Sequence, residues 1–254
     1  MAKQLMKRVI KKSNVLVLAA AALVIVALFF FDISLKDAYL SGEYKKPFRD
    51  YKALNFKGFK SIVLNAATAA NVIVQQGDFS VKMEPAAEHF IKVSQIGDVL
   101  YINAAFPGSF EGNHADYPLV ITCPVLEKFD ADSRYTANNM LVTDTIASLD
   151  FRWRPSFIKG FTLDSLAITE KHAGTVILQA NKIKSLKATI GLNEGSGSNL
   201  TILNDNRFEN ADLNILNKSQ LKLQDAGIPN LKYQLADSAK LILTGAAKKL
   251  INKQ

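Results

Sequence analysis

The sequence predicts an all-β parallel solenoid, a parallel β-helix, preceded by one N-terminal transmembrane helix. Three observations carry this reading. An uncharged apolar run at 15–31 lies behind a basic cluster. Short β-branched strands punctuated by glycine follow from residue 53 onward. In the second half, a unit of short strands repeats at steps of 20, 25 and 20 residues, starting at Leu163, Ile183, Phe208 and Ile228.

The anchor comes first. Val15 to Phe31 reads VLVLAAAALVIVALFFF, seventeen residues without a polar side chain. As an α-helix this reaches about 26 Å, close to the ~30 Å hydrocarbon core. A helix is required because it satisfies its own backbone hydrogen bonds in lipid. Twelve of the seventeen are Leu, Ile, Val or Phe, which favours insertion by roughly 4–7 kcal/mol. Lys3, Lys7, Arg8, Lys11 and Lys12 lie just upstream and place residues 1–14 in the cytoplasm by the positive-inside rule. The C-terminal domain is then periplasmic or extracellular. The competing reading is a cleaved signal peptide. That needs a shorter apolar region and a small-x-small site, and FFFDISLKDAY offers no such site. A lipoprotein signal needs a cysteine directly after the run, and the single cysteine is Cys123. An uncleaved signal-anchor contacting the bilayer through residues 15–31 is the expectation; the sequence leaves cleavage open.

The net charge of +8 reflects this topology. Five of the 31 basic residues fall in the first twelve positions, leaving 26 against 23 acids. That is an ordinary surface, not a nucleic-acid footprint. One cysteine excludes an intramolecular disulfide, and Cys123, in the apolar run PLVITCP, reads as a buried thiol.

Residues 32–52 are polar and mixed in charge, with Gly42 and Pro47, and read as a juxtamembrane linker. The head domain is expected over 53–254. Its first strands are Ile62–Leu64, Val72–Val74, Phe79–Met83, Ile91–Val93 and Val99–Ile102. In the repeats, an apolar residue is followed three positions on by a small or apolar one, as in Ile183/Leu186 and Phe208/Ala211. Two alternating strands and a polar corner complete each unit. A 20-residue unit of this kind cannot bury its inward row alone, but stacked units bury a continuous one. Leu200, Leu221 and Leu241 are expected to form one inward ladder, and Ile202, Leu223 and Leu243 another. The long step contains GLNEGSGSN, read as a loop inserted at a corner. Leucine-rich repeats have a similar period but need a fixed corner Asn or Cys, which EKHAGT, NKSQ and ADSA do not share. An antiparallel sandwich or barrel is the other alternative. The strands from Ile62 to Ile102 are expected to cap one end of the stack, and the basic tail with Lys248, Lys249 and Lys253 the other.

Over roughly 53–250 the chain resembles the head GIN domain family of auto-transporter adhesin head domains, found in Bacteroidota envelope proteins. The resemblance rests on Phe59–Ile62, Asn71–Gly77 and Ser80–Met83. It continues through Gly97–Ile102, Leu119–Ile121, Pro124–Leu126 and Phe129. It implies a right-handed parallel β-helix and an envelope location. It carries no site residue, and the longer anchor without a lipobox cysteine departs from many members.

Chemistry is sparse. His89, His114 and His172 lack metal-ligand spacing and read as surface residues, and no metal or cofactor is expected. GSGSNL at 195–200 lacks the third glycine of a dinucleotide fingerprint. Asp130, Asp132 and Asp150, near Arg134, Arg152 and Arg154, are the acids a β-helical glycosidase or lyase could use; as turn formers they need no such role. The best binding candidate is Phe151, Arg152, Trp153 and Arg154, which hold the one tryptophan. Aromatic and Arg side chains together suit sugar stacking or a protein hot spot. The reading is therefore a membrane-anchored envelope protein with a binding, adhesion-like or structural role and no catalysis. Its partners would be an envelope glycan or another envelope protein, with no nucleic acid. A carbohydrate-active β-helix enzyme is the alternative.

Overall fold

The computed structural model describes residues 12–42, 47–108, 117–146 and 155–253. The chain forms two compact units, Met1–Arg49 and Asp50–Gln254. The first holds helix α1, Lys12–Leu40. Within it, Asn14–Lys36 contains an 18-residue window of mean hydropathy 2.8 and is long and apolar enough to cross a membrane, as a signal sequence also is. The helix runs nine residues beyond the expected span, into the segment read as linker. Leu35, Ala38 and Leu40 favour helix there. No Gly or Pro interrupts until Gly42, whose φ of +66° suits the left-handed turn after a helix.

The second unit is almost all β. Its first ten strands are β1 (Lys52–Leu54), β2 (Ser61–Leu64), β3 (Val72–Gln76), β4 (Ser80–Met83), β5 (Ile91–Ile96), β6 (Val99–Phe106), β7 (Leu119–Cys123), β8 (Lys128–Ala131), β9 (Arg134–Ala137) and β10 (Met140–Thr143). Nine more follow: β11 (Ser156–Lys159), β12 (Thr162–Glu170), β13 (Thr175–Gln179), β14 (Lys182–Ile190), β15 (Asn199–Ile202), β16 (Arg207–Ile215), β17 (Gln220–Gln224), β18 (Asn230–Leu235) and β19 (Lys240–Thr244). They form two mixed sheets. The nine-stranded sheet is ordered β1-β4-β7-β3-β11-β13-β15-β17-β19, and the ten-stranded sheet β10-β9-β6-β2-β8-β12-β14-β16-β18, with β5 beside β6.

The mixed pairing corrects the expectation of a uniformly parallel solenoid. β1, β4, β5 and β10 each pair antiparallel. The strands at 61–102 are also more than a cap. β3 and β8 pair in parallel with β11 and β12, so the early strands continue the same two sheets.

From β11 onward the chain alternates between the sheets, and every neighbour is parallel. The register is the one the leucines dictate. Val176, Leu200, Leu221 and Leu241 stack in one row, and Leu178, Ile202, Leu223 and Leu243 in the next. Val176, Leu178, Leu200, Ile202, Leu221 and Leu223 are 0–1% exposed. Each such side chain contributes about 1.5–3 kcal/mol by leaving water. The long repeat step is absorbed at two corners, 190–198 and 203–206.

A second device holds the corners. Asn181 and Asn206 are buried at successive bends before β14 and β16. The Asn181 amide donates to the Ile158 carbonyl at 2.9 Å and to Asn206 Oδ1 at 2.9 Å, and its oxygen accepts from the Phe161 N–H at 3.0 Å. Asn206 in turn donates to the Leu178 carbonyl at 2.7 Å. These amides satisfy backbone groups that the bends expose. The backbone turns through positive φ at Gly160 (76°), Ala180 (54°), Asp225 (55°) and Gly245 (59°). At Ala180 the left-handed conformation costs about 1–2 kcal/mol.

At the C-terminal end, β18 and β19 are the last strands of their sheets among the described residues. Leu231, Tyr233, Leu241 and Leu243 are only partly buried there. A 3-10 segment, Gly245–Lys253, packs Ala247 and Leu250 on this end while Lys248 and Lys249 stay exposed.

Candidate functional site

Three places carry polar chemistry. The first is the corner after β12. His172 Nδ1 lies 2.5 Å from Asp132 Oδ1, and the Asn193 amide donates to His172 Nε2 at 3.0 Å. With Nε2 accepting, Nδ1–H donates to Asp132. Asp132 Oδ1 also accepts from the Ser133 N–H at 2.8 Å, and Ser198 Oγ donates to the His172 carbonyl at 2.8 Å. Ser133 Oγ donates to the Ala173 carbonyl. Both ring nitrogens and both nearby hydroxyls are thus engaged in holding the corner. His172 is partly buried, not the surface histidine expected; only His89 is exposed, and His114 lies outside the described residues.

Beside this corner Glu170 interrupts an aliphatic column. Its register partners are Ala131 and Ile190, followed by Ile215 and Leu235. Glu170 is 0% exposed, and neither carboxyl oxygen has a partner among the described residues. Burial pushes its pKa well above the ordinary carboxylate value. The Asn199 N–H opposes this only in part, since its hydrogen bond goes to the Gly174 carbonyl at 2.9 Å. A raised native pKa gives stability that is full below the unfolded value of 4.5 and falls as pH rises toward the native one. Glu170→Gln removes this titration. Thermal melts from pH 4 to 8 should show the wild type losing stability relative to the variant, by up to about 1.4 kcal/mol per pH unit. Parallel curves would contradict it.

The second place is a cleft of about 510 Å³ at the bend of β12, β14 and β16, lined by Asp164, Lys182, Lys184, Arg207 and Glu209 among others. Two acids and three bases meet here, the composition expected of a glycosidase groove. The pairing argues otherwise. Lys184 Nζ lies 2.7 Å from Asp164 Oδ1, and Asp164 is 85% exposed. The Lys184 hydrogen bond and charge hold the Asp164 carboxyl below its usual value. A general acid needs the opposite shift.

The third place is an open groove of about 460 Å³ on the outer face of the nine-stranded sheet. Thr175, Asn199, Gln220 and Lys240 stand in one outward row, and Thr201 and Lys222 in the next. Lys218 adds a third ammonium at the corner, and Ile146, bridged to Gly197, forms one wall. Among the described residues the lining contains no acid. Along β13, β15, β17 and β19 there is no Asp or Glu at all. The ten-stranded sheet differs, carrying Asp164, Lys187, Glu209, Asp212 and Lys232 on β12–β18.

Of the expected acids, the two that are described, Asp130 and Asp132, do not converge. Asp130 pairs with Lys128 at 2.7 Å on one strand, while Asp132 turns into the corner. Asp150, Phe151, Arg152, Trp153 and Arg154 lie outside the described residues. Burial pushes the Cys123 thiol up to about 12, as suits an inert core cysteine. Among the described residues no group of three or more metal-ligating side chains occurs.

No family model matches the chain, and no curated protein does. Solved structures do. A "putative adhesin" from Bacteroides fragilis is 12% identical, covering 76% of this chain and 96% of that one with a TM-score of 0.41. A "putative adhesin" from Parabacteroides distasonis is 10% identical, covering 77% and 94% with a TM-score of 0.33. A "putative lipid binding protein" from the same species is 11% identical, covering 77% and 94% with a TM-score of 0.25. Likeness at this level carries no inference about ligand or activity.

Proposed function

We propose that the chain is a membrane-anchored envelope protein whose β unit binds an extended polymer without cleaving it. In this reading residues 1–14 are cytoplasmic and residues 15–31 span the bilayer. Residues 53–254 form a head outside the cell interior, and β11–β19 are coils of a right-handed parallel β-helix of the head GIN type. The observation that carries the binding role is the acid-free outer face of β13, β15, β17 and β19 with its groove. Glycoside hydrolysis uses two carboxylates flanking the bond, and the described lining of this groove supplies none. Parallel strands about 4.8 Å apart repeat hydroxyl, amide and ammonium groups at a spacing close to one pyranose unit. An envelope glycan is the partner that such a surface suits. Phe151, Arg152, Trp153 and Arg154 stay candidate contacts on sequence grounds alone.

The test uses full-length protein in lipid nanodiscs against a panel of neutral and charged soluble polysaccharides. Binding to at least one polymer with no new reducing ends is the expected result. Chain shortening would establish catalysis instead, and retention of no polymer would end the binding reading.

A further inference from the structure

The charge pattern of the groove goes further than binding in general. We propose that it takes a linear polyanionic glycan, a polymer bearing carboxylate or sulfate groups, held by Lys218, Lys222 and Lys240. This rests on the binding reading above and adds the ligand's sign and class.

Three features of the surface argue for it. Lys218 and Lys240 are exposed and Lys222 is partly buried, and none of them has an acidic partner among the described residues. Four lysines elsewhere on the β unit are paired, Lys52 with Glu88, Lys60 with Glu127, Lys128 with Asp130 and Lys184 with Asp164; what sets the groove apart is that its three ammonium groups share one concave lining with no acid among the described residues. A field of one sign in a concave site concentrates a counter-charged ligand.

The groups between the lysines suit a sugar. Asn199, Thr201 and Gln220 offer donors and acceptors to ring hydroxyls, and Ile146, 53% exposed, gives one apolar wall. Lys222 and Lys240 project from adjacent strands in neighbouring rows, so the ammonium groups step diagonally across the rungs. A polymer with a regular repeat can follow that diagonal and meet a charge at successive units. The volume of about 460 Å³ lies within the usual range of ligand clefts.

A nucleic acid fits less well. Single strands bind through aromatic stacking platforms, and phosphates are matched best by arginine forks. The described lining has neither aromatic nor arginine. Phe157, at the head of the outward row, is engaged edge-to-face with Tyr117 at 6.0 Å.

The experiment compares three polymers on full-length protein in nanodiscs of zwitterionic lipid at low salt: polygalacturonate, neutral pullulan, and double-stranded DNA. Two triple variants remove the same charge, K218Q/K222Q/K240Q in the groove and K184Q/K187Q/K232Q on the ten-stranded sheet. The expected result is polygalacturonate binding that weakens at least tenfold in the groove variant and less than twofold in the other. Pullulan and DNA should bind at least tenfold more weakly than polygalacturonate. Equal loss in both variants would reduce the effect to net charge and overturn the proposal. DNA binding as tight as polygalacturonate, and lost in the same variant, would overturn it in favour of nucleic acid. Pullulan binding untouched by the groove variant would overturn the anionic ligand while leaving the binding reading intact. No binding to polygalacturonate would likewise overturn it, with the wider polysaccharide panel deciding the reading beneath.

Discussion

Replacing Leu221 by Asp is expected to unfold the stacked strands, while Lys222→Ala, one residue away, leaves stability within about 0.5 kcal/mol. Leu221 is 0% exposed and sits between Leu200 and Leu241 in the inward row. An unpaired carboxylate there has no hydrogen-bond partner and no water. Its cost approaches the 5–15 kcal/mol that a whole domain has available. Leu221→Ala, which only removes methyl groups, should cost about 3 kcal/mol. Urea titrations of the full-length variants, followed by circular dichroism in the β region, check the series. Similar losses at 221 and 222 would mean that the inward and outward faces are misassigned.

Asn181→Ala should cost about 2–4 kcal/mol, unusual for a polar residue at a bend. The substitution leaves the Phe161 N–H and the Ile158 carbonyl unpaired in a buried corner, and removes the 2.9 Å contact with Asn206 Oδ1. The exposed Asn204, at the next corner, makes a useful comparison: Asn204→Ala should change stability by no more than about 0.5 kcal/mol. The double variant at 181 and 206 should fall short of the sum of the single losses, because each amide props the other. Full additivity would indicate two independent turns in place of one ladder.

The inward rows were legible because a leucine in a strand has two faces to choose from and the period of two decides it. Aligning Leu200, Leu221 and Leu241 by eye gives the register that the backbone adopts. The first half was less legible for a topological reason. Ile73 pairs with Phe157 across most of the intervening chain, and nothing local to β3 announces that partner. Alternation along Ser80–Met83 and Leu119–Cys123 is the same whether the two strands run parallel or antiparallel, and they run antiparallel.

The corners held signals that pattern-reading for leucines passed over. Asn181-Lys182-Ile183 and Asn206-Arg207-Phe208 repeat an Asn-base-apolar triplet where each long strand begins. Glu170 was visible as the one acid in a column otherwise filled by alanine, isoleucine and leucine. Asp132 and His172 carry no spacing rule, since only the fold brings them to 2.5 Å. The lysines of the groove are scattered among neutral and acidic neighbours in sequence. They emerge as one acid-free face only after the strands are placed in register.

That register is also what the functional argument stands on, and a distance tests it directly. Lys128, Ala167, Lys187, Asp212 and Lys232 occupy one outward column on five successive strands of the ten-stranded sheet. Spin labels at Lys128→Cys and Lys232→Cys, with Cys123 buried and unreactive, span four strand spacings, about 19 Å at the backbone. Pulsed electron–electron resonance on the full-length protein should return a single narrow distribution consistent with that separation. A distribution displaced by two or more strand spacings, or one without a defined maximum, would contradict the stacked register and the acid-free face with it.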